Sequence, residues 1–171
     1  MTIERRSRRF SSERLERLAR RLMNASPLCS LATVSPGSRA HINHMYFGWN
    51  RGFDVFWISD PDSRHSRNLA ANPSAAITIY DSRQTLGRPD RGIQLFGSAG
   101  IVIGAAADEG ERVYSARFPS YELPESDSYP FYRFRPRTIK LFYEGVLGAG
   151  TLVTARVSRG GLHWQRTEVF A

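Results

Sequence analysis

Three β-rich runs joined by tight turns occupy residues 28–59, and they constrain this chain more than any other feature. Leu28–Val34 (LCSLATV) ends at Ser35-Pro36-Gly37-Ser38, His41–Trp49 ends at Asn50-Arg51-Gly52, and Phe53–Ser59 (FDVFWIS) follows. Connections this short force antiparallel neighbours, because a parallel crossover needs a dozen or more residues. The period then changes. Asp60-Pro61-Asp62-Ser63 carries cap chemistry, and Arg64–Ala71 reads as a short helix stopped by Asn72-Pro73. Further strands are expected at Ala75–Tyr80, Gly92–Ile103, Phe131–Phe134, Thr138–Tyr143, Thr151–Val157 and Leu162–Val169. Ser11 caps a helix carrying Leu15, Leu18, Leu22 and Met23 on one face, and Ala105–Phe118 is a second helix weakened by Gly110. Gly97 and Gly100 inside a strand mark a bulge, or the close approach of a ligand or another backbone. Many short strands with few helices predict a mainly β fold, an antiparallel barrel with peripheral helices. The order argues against a parallel dinucleotide-binding sheet.

Charge is unevenly spread. Residues 1–22 hold eight arginines against three glutamates, which is five of the eight net positive charges. Residues 1–10 read as a basic, disordered and dispensable leader, with a single domain over 11–171. The leader could meet an acidic partner. However, Lys140 is the only lysine among 24 basic residues, so the arginine excess is a compositional bias, and no helix-turn-helix or RNA-binding signature accompanies it. Nucleic acid is therefore not an expected partner. The N-terminus has no apolar segment of secretory type, and no apolar run approaches the ~20 residues of a membrane helix. A lone cysteine, Cys29, allows no internal disulfide and reads as a buried small apolar residue. Together these features describe a soluble cytoplasmic protein.

Candidate chemistry centres on Ser59-Asp60-Pro61-Asp62-Ser63-Arg64-His65-Ser66. A strand ends, a polar loop follows, and a helix opens with basic and hydroxyl side chains in its first turn. Helix N-termini leave N–H groups unpaired and carry partial positive charge. With Arg64, His65 and the hydroxyls of Ser63 and Ser66, this end could cradle a phosphate. The plainer alternative is that Ser63 only caps the helix while the arginines face water. His41 and His44 stand three apart on a strand and point to opposite faces, so they form no metal pair. No nucleophile elbow, P-loop or metal cluster is present.

The ordered set LATVSPGSRAHINHMYFGWNRGFDVFWISDPDSRHSRNLAANPSAAITIYD, with RGIQLFGSA after it, resembles the pyridoxamine 5'-phosphate oxidase family of FMN-binding split barrels. The resemblance covers about residues 28–103 well and the later strands loosely. It implies an antiparallel Greek-key split β-barrel and a homodimer whose cofactor sites are completed by both subunits. It also implies a flavin-dependent oxidoreductase acting on a small molecule. By that likeness the second strand, with Asn43, His44 and Met45, runs along the flavin ring and ribityl chain. Ser59 is the hydroxyl ending the third strand, Arg64 meets the flavin phosphate, and Gln94 lies at the ring edge. Two positions depart from the pattern. His65 stands where the oxidases commonly carry lysine, so its charge depends on its surroundings. Asn43 stands where they carry arginine, which argues against that particular reaction. No general acid or base is evident. Two other readings share this fold: a reductase that uses a deazaflavin coenzyme, and a flavin- or haem-binding module without turnover, with His44 or His65 as the axial ligand of a haem.

Overall fold

Short turns and alternating apolar residues build one antiparallel sheet network. The structure, a computed structural model, describes residues 3–124, 128–159 and 161–170. In chain order the elements are β1 (Ile3–Arg6), α1 (Ser12–Met23), β2 (Leu28–Val34), β3 (Ala40–Tyr46), β4 (Gly48–Trp49), β5 (Val55–Ile58), α2 (Arg64–Ala71), β6 (Ser74–Tyr80) and β7 (Arg91–Ile101). Then come α3 (Ala105–Arg117), β8 (Phe131–Tyr143), α4 (Glu144–Leu147), β9 (Thr151–Ser158) and β10 (Gly161–Phe170). The strands are hydrogen-bonded in the order β1-β10-β9-β8-β7-β6-β2-β3, with β5 joining β4 and β8 off that path. Two compact units divide the chain. One gathers the chain up to Pro27, Thr78–Phe96 and the chain from Arg137; the other holds Leu28–Ile77 and Gly97–Pro136.

The second unit carries the candidate site. Leu31, Phe47, Phe56, Trp57, Tyr132 and Phe134 are at most 1% exposed, and the Trp57 and Tyr132 rings stack with centroids 5.5 Å apart. α3 packs closely on β4 and β5 because two glycines make room. A Cβ on Gly48 would lie 2.9 Å from the Tyr114 backbone, and one on Gly110 would lie 3.0 Å from the Phe131 and Phe56 rings. Gly110 therefore permits helix docking as well as lowering helix propensity. Gly97 answers to another backbone and not to a ligand: a Cβ there would collide with the Arg135 carbonyl, whereas Gly100 faces open space.

Three element boundaries differ from the sequence expectation. The strand expected from Phe53 begins at Val55, because Phe53 adopts φ 68° to close the turn. Asn50 holds that turn, its side-chain oxygen accepting from the backbone N–H of Gly52 (2.9 Å) and Asp54 (3.0 Å). Burial of the Phe53 ring against Trp49 offsets the left-handed backbone. The run expected over His41–Trp49 breaks at buried Phe47 into β3 and β4. Conversely, Phe131–Tyr143 is one strand despite Pro136. β8 pairs with β5 over Phe131–Phe134 and with β9 over Thr138–Phe142, so the proline falls where the strand changes partner and its missing N–H costs no bond to either.

In the first unit, residues 3–10 of the expected leader make regular contacts, and residues 1 and 2 lie outside the described residues. Ile3–Arg6 pairs antiparallel with Thr167–Phe170 of β10. Phe10 is 6% exposed, with the Arg8 and Arg14 guanidinium groups 4.9 and 5.1 Å from its ring centre. Arg8 donates to the Leu147 carbonyl (3.0 Å), and its own carbonyl accepts from the Thr167 hydroxyl (2.7 Å). Of the arginines that make this segment look solvated, Arg8 and Arg9 anchor it, through cation–π contacts and, for Arg8, a backbone carbonyl. Behind it, α1 buries Leu15, Leu18, Ala19, Leu22 and Met23, and its Glu16 accepts from the Leu162 N–H of β10.

Candidate functional site

The start of α2 is built as the cap residues dictate. Ser63 takes extended backbone angles and its hydroxyl accepts from the Ser66 N–H at 3.4 Å. In the first turn the N–H groups of Arg64 and His65 have no carbonyl four residues back to bond within the helix. No acidic side chain occupies that turn. The Arg64 side chain is exposed and makes no hydrogen bond or ion pair among the described residues. Anchoring from below is strong. Ser63 Oγ donates to Ser66 Oγ at 2.8 Å, Ser66 meets the Tyr132 hydroxyl, and Asn68 Nδ2 donates to Thr33 Oγ1 of β2 at 3.0 Å.

His65 is the most constrained polar side chain of the cluster. Its Nε2 lies 2.8 Å from Ser59 Oγ, at the end of β5, and 3.3 Å from Ser63 Oγ. Burial, and then the positive potential of His41, hold its pKa below the usual histidine value. The ring is therefore neutral at neutral pH, and an anion arriving beside it would favour the imidazolium. His41, whose spacing from His44 excludes a metal pair, takes this other role from its place on β3. Its signal was the period of two: His41, Asn43 and Met45 alternate with exposed Ala40, Ile42, His44 and Tyr46.

That alternation divides the expected flavin strand. Asn43 and Met45 share the His41 face, and the Asn43 side-chain oxygen is buried without a donor among the described residues. His44 lies on the opposite, exposed face, its Nδ1 2.9 Å from Ser30 Oγ of β2. One chain thus does not bring His44 together with Asn43 and Met45. Gln94 is half-buried on β7 within the other unit. Ser59, Ser63, His65 and Ser66 form one hydrogen-bonded cluster beside Arg64.

Next to the cluster lies an aromatic cleft of about 550 Å³. Five rings line it (Tyr46, Tyr114, Phe118, Tyr121 and Tyr129) together with Met45 and Ile58, the residue preceding Ser59. Tyr114 and Phe118 pack with centroids 4.9 Å apart, and Tyr46 meets Phe118 edge-on at 5.5 Å. Burial, reinforced by the neighbouring Tyr121 and Tyr46, pushes the Tyr114 phenol up to about 12, so it stays a hydrogen-bond donor. The only nearby thiol, Cys29, is 2% exposed and raised to about 12 chiefly by burial. It is inert, as its sequence context suggested. No group of three or more metal-ligating side chains occurs among the described residues. No helix among them is long and apolar enough to cross a membrane.

Residues 15–143 match the pyridoxamine 5'-phosphate oxidase family. No curated protein matches the chain. Among solved structures, a Listeria innocua protein named for pyridoxamine 5'-phosphate oxidase shares 17% identity at TM-score 0.60, over 74% of this chain and 97% of its own. A haem-binding protein from Mycobacterium smegmatis shares 14% at TM-score 0.62, over 94% and 88%. An F420 reductase shares 20% at TM-score 0.55, over 70% and 93%. At these identities the likeness shows the fold, the antiparallel split barrel of those proteins with helices at its periphery.

Proposed function

Because the chain belongs to the pyridoxamine 5'-phosphate oxidase family, we propose that it is an FMN-dependent oxidoreductase that grips the flavin phosphate at the start of α2. The observation that carries this reading is the open N-terminal turn of α2, with an unengaged Arg64 and a Ser59–His65 pair 2.8 Å apart. These groups fit a phosphate monoester: two main-chain N–H donors, a permanent cation, and an imidazole able to gain a proton. The unpartnered Asn43 oxygen on the adjoining β3 face fits a donor from the rest of the cofactor. From His41 to Met45 that face spans about 13 Å at ~3.3 Å per residue, enough to follow an extended ribityl chain from phosphate to ring.

When bound, FMN supplies the electron transfer. The chain's own residues bind, orient and exclude water. Arg64 and the helix end neutralise the phosphate; Ser59 fixes the His65 ring; Asn43 and Met45 flank the ligand. Leu28 and Ile42 are 40% and 61% exposed on the other face of the β2–β3 pair. Such an apolar face supports a homodimer in which the sheet is covered by a second copy.

Arg64→Ala tests the reading. FMN affinity measured by flavin fluorescence should fall roughly 10- to 100-fold, the worth of one charged hydrogen bond, with the melting temperature unchanged. Mass spectrometry of the copurifying small molecule is the complementary test. Haem or a deazaflavin coenzyme in its place, with no FMN binding on titration, would overturn the assignment.

A further inference from the structure

The aromatic cleft differs chemically from the phosphate cradle beside it. No lining residue carries a charge; the guanidinium nearest in sequence, that of half-buried Arg117, lies 4.1 Å from the Phe47 ring centre and 5.9 Å from that of Phe118. The volume of about 550 Å³ is that of a small-molecule pocket. Five rings, one thioether and Ile58 form the walls, and the only side chains among them with a polar group are the phenols Tyr46, Tyr114, Tyr121 and Tyr129. Phenols donate single hydrogen bonds to carbonyl or ether oxygens without neutralising an anion. A phosphorylated or carboxylated ligand would lose its hydration here and gain no counter-charge from the lining side chains, with the Arg117 guanidinium held against the Phe47 and Phe118 rings. An uncharged planar ring would gain stacking and edge contacts on the Phe118, Tyr114 and Tyr46 faces.

We propose that this cleft is the substrate site and that it takes an uncharged, planar aromatic compound bearing carbonyl oxygens, of the quinone type, and not a phosphorylated pyridine. The inference rests on the flavin reading, since it places the substrate beside a cofactor held through the Ser59–Arg64 cradle. Ile58 and Met45 supply the continuity: Ile58 directly precedes Ser59, and Met45 shares its β3 face with Asn43 and His41. Selectivity would then come from excluded charge, which costs an anionic competitor far more than a neutral isostere.

The probe is 2-methyl-1,4-naphthoquinone, titrated into the FMN-loaded protein by calorimetry, with FMN affinity measured separately. Saturable binding is expected. Phe118→Ala and Tyr121→Ala should each weaken it about tenfold while leaving FMN affinity within about twofold. Tyr121 is 51% exposed, so its truncation leaves the core intact, and melting curves verify this for both variants. Excess pyridoxal 5'-phosphate should not displace the quinone. Displacement by pyridoxal 5'-phosphate, or loss of quinone binding whenever the flavin ring is present, would overturn the inference; the latter would mean that the cleft holds the flavin itself. If FMN binds and the quinone shows no saturation, only the cleft inference fails. If FMN does not bind, the flavin reading fails first.

Discussion

Replacing His65 by glutamine and by lysine separates a phosphate-reading histidine from one that merely braces the loop. In the free protein its pKa is held below the reference of about 6.5 by burial and by His41. A phosphate dianion beside the ring would raise it. Binding then takes up to one proton, in a window that opens at the depressed free value and closes at the raised bound value. Affinity should fall across that window as pH rises, by at most about tenfold per pH unit for one proton. The flavin phosphate titrates near 6 and acts in the opposite sense, gaining charge and affinity with pH. His65→Gln keeps a partner for Ser59 and shows that ligand-side slope alone. His65→Lys keeps the charge at all these values, so it should bind at least as tightly as the wild type at pH 8 and share the ligand-side slope of the glutamine variant. Between them the two variants bracket a charged hydrogen bond of about 1.5–3 kcal/mol. Flavin fluorescence titrations from pH 5 to 8 (approximate limits set by the histidine range), with riboflavin as the phosphate-free control, give the answer. Identical slopes for wild type and His65→Gln, or equal losses for FMN and riboflavin, would refute the argument.

The same depressed pKa predicts a stability effect without ligand. The unfolded chain protonates His65 more readily than the native one, so native stability falls as pH drops below about 6.5, by up to ~1.4 kcal/mol per unit. Urea titrations should find that component missing in His65→Gln. Phe10→Ala should cost about 3–5 kcal/mol, and deleting residues 1–10 should lower the melting temperature by removing β1 and that ring together; an unchanged melt would show the segment is dispensable after all. Cys29 should resist iodoacetamide in the native protein at about pH 8 and react fully in denaturant, given its reference value of about 8.5 in open chain; rapid native labelling would contradict its burial. Thr33→Val strands the Asn68 amide, now bonded at 3.0 Å, and should cost about 1–3 kcal/mol in chemical denaturation.

Local chemistry was legible where one residue type decides the outcome. Ser11 and Ser63 cap the helices their side chains announce, and Leu28–Val34 and Arg64–Ala71 form with the bounds the pattern implies. Boundaries went astray where a tertiary contact outweighs local preference. Phe53 accepts a left-handed backbone because its ring is buried, and Pro136 sits inside a strand because the ladder changes partner there. The second-strand expectation named three consecutive residues, Asn43, His44 and Met45, but a strand can offer only alternate ones to a single face. On β3 the face that carries Asn43 and Met45 also carries His41, and His44 lies on the other. The aromatic cleft could not be read at all, because Met45, Ile58, Phe118 and Tyr129 meet only after β3, β5 and α3 have packed.

The N-terminal arginines and the favoured Arg64 raise one question: what distinguishes a structural arginine from one available to an anion. Composition cannot answer it in a chain where nearly every basic residue is arginine. The surroundings can. Arg8, Arg9 and Arg14 lie over the Phe10 or Trp164 rings at 4.9–5.1 Å, and Arg17 pairs with Glu13 on its own helix. A phosphate recruiting any of these must first displace a contact. Arg64 has none to give up, and it stands at the end of a helix whose first turn lacks acidic residues and whose dipole points the same way. The helix cap holds the turn rigid through Ser63, Ser66 and Tyr132, so the N–H groups need no reorganisation to meet an anion. Loosening that support should therefore weaken phosphate binding without touching any residue that contacts it: Tyr132→Phe, which removes only the hydroxyl on Ser66, should reduce FMN affinity more than riboflavin affinity. Equal effects on the two flavins would show that the hydroxyl serves the core alone.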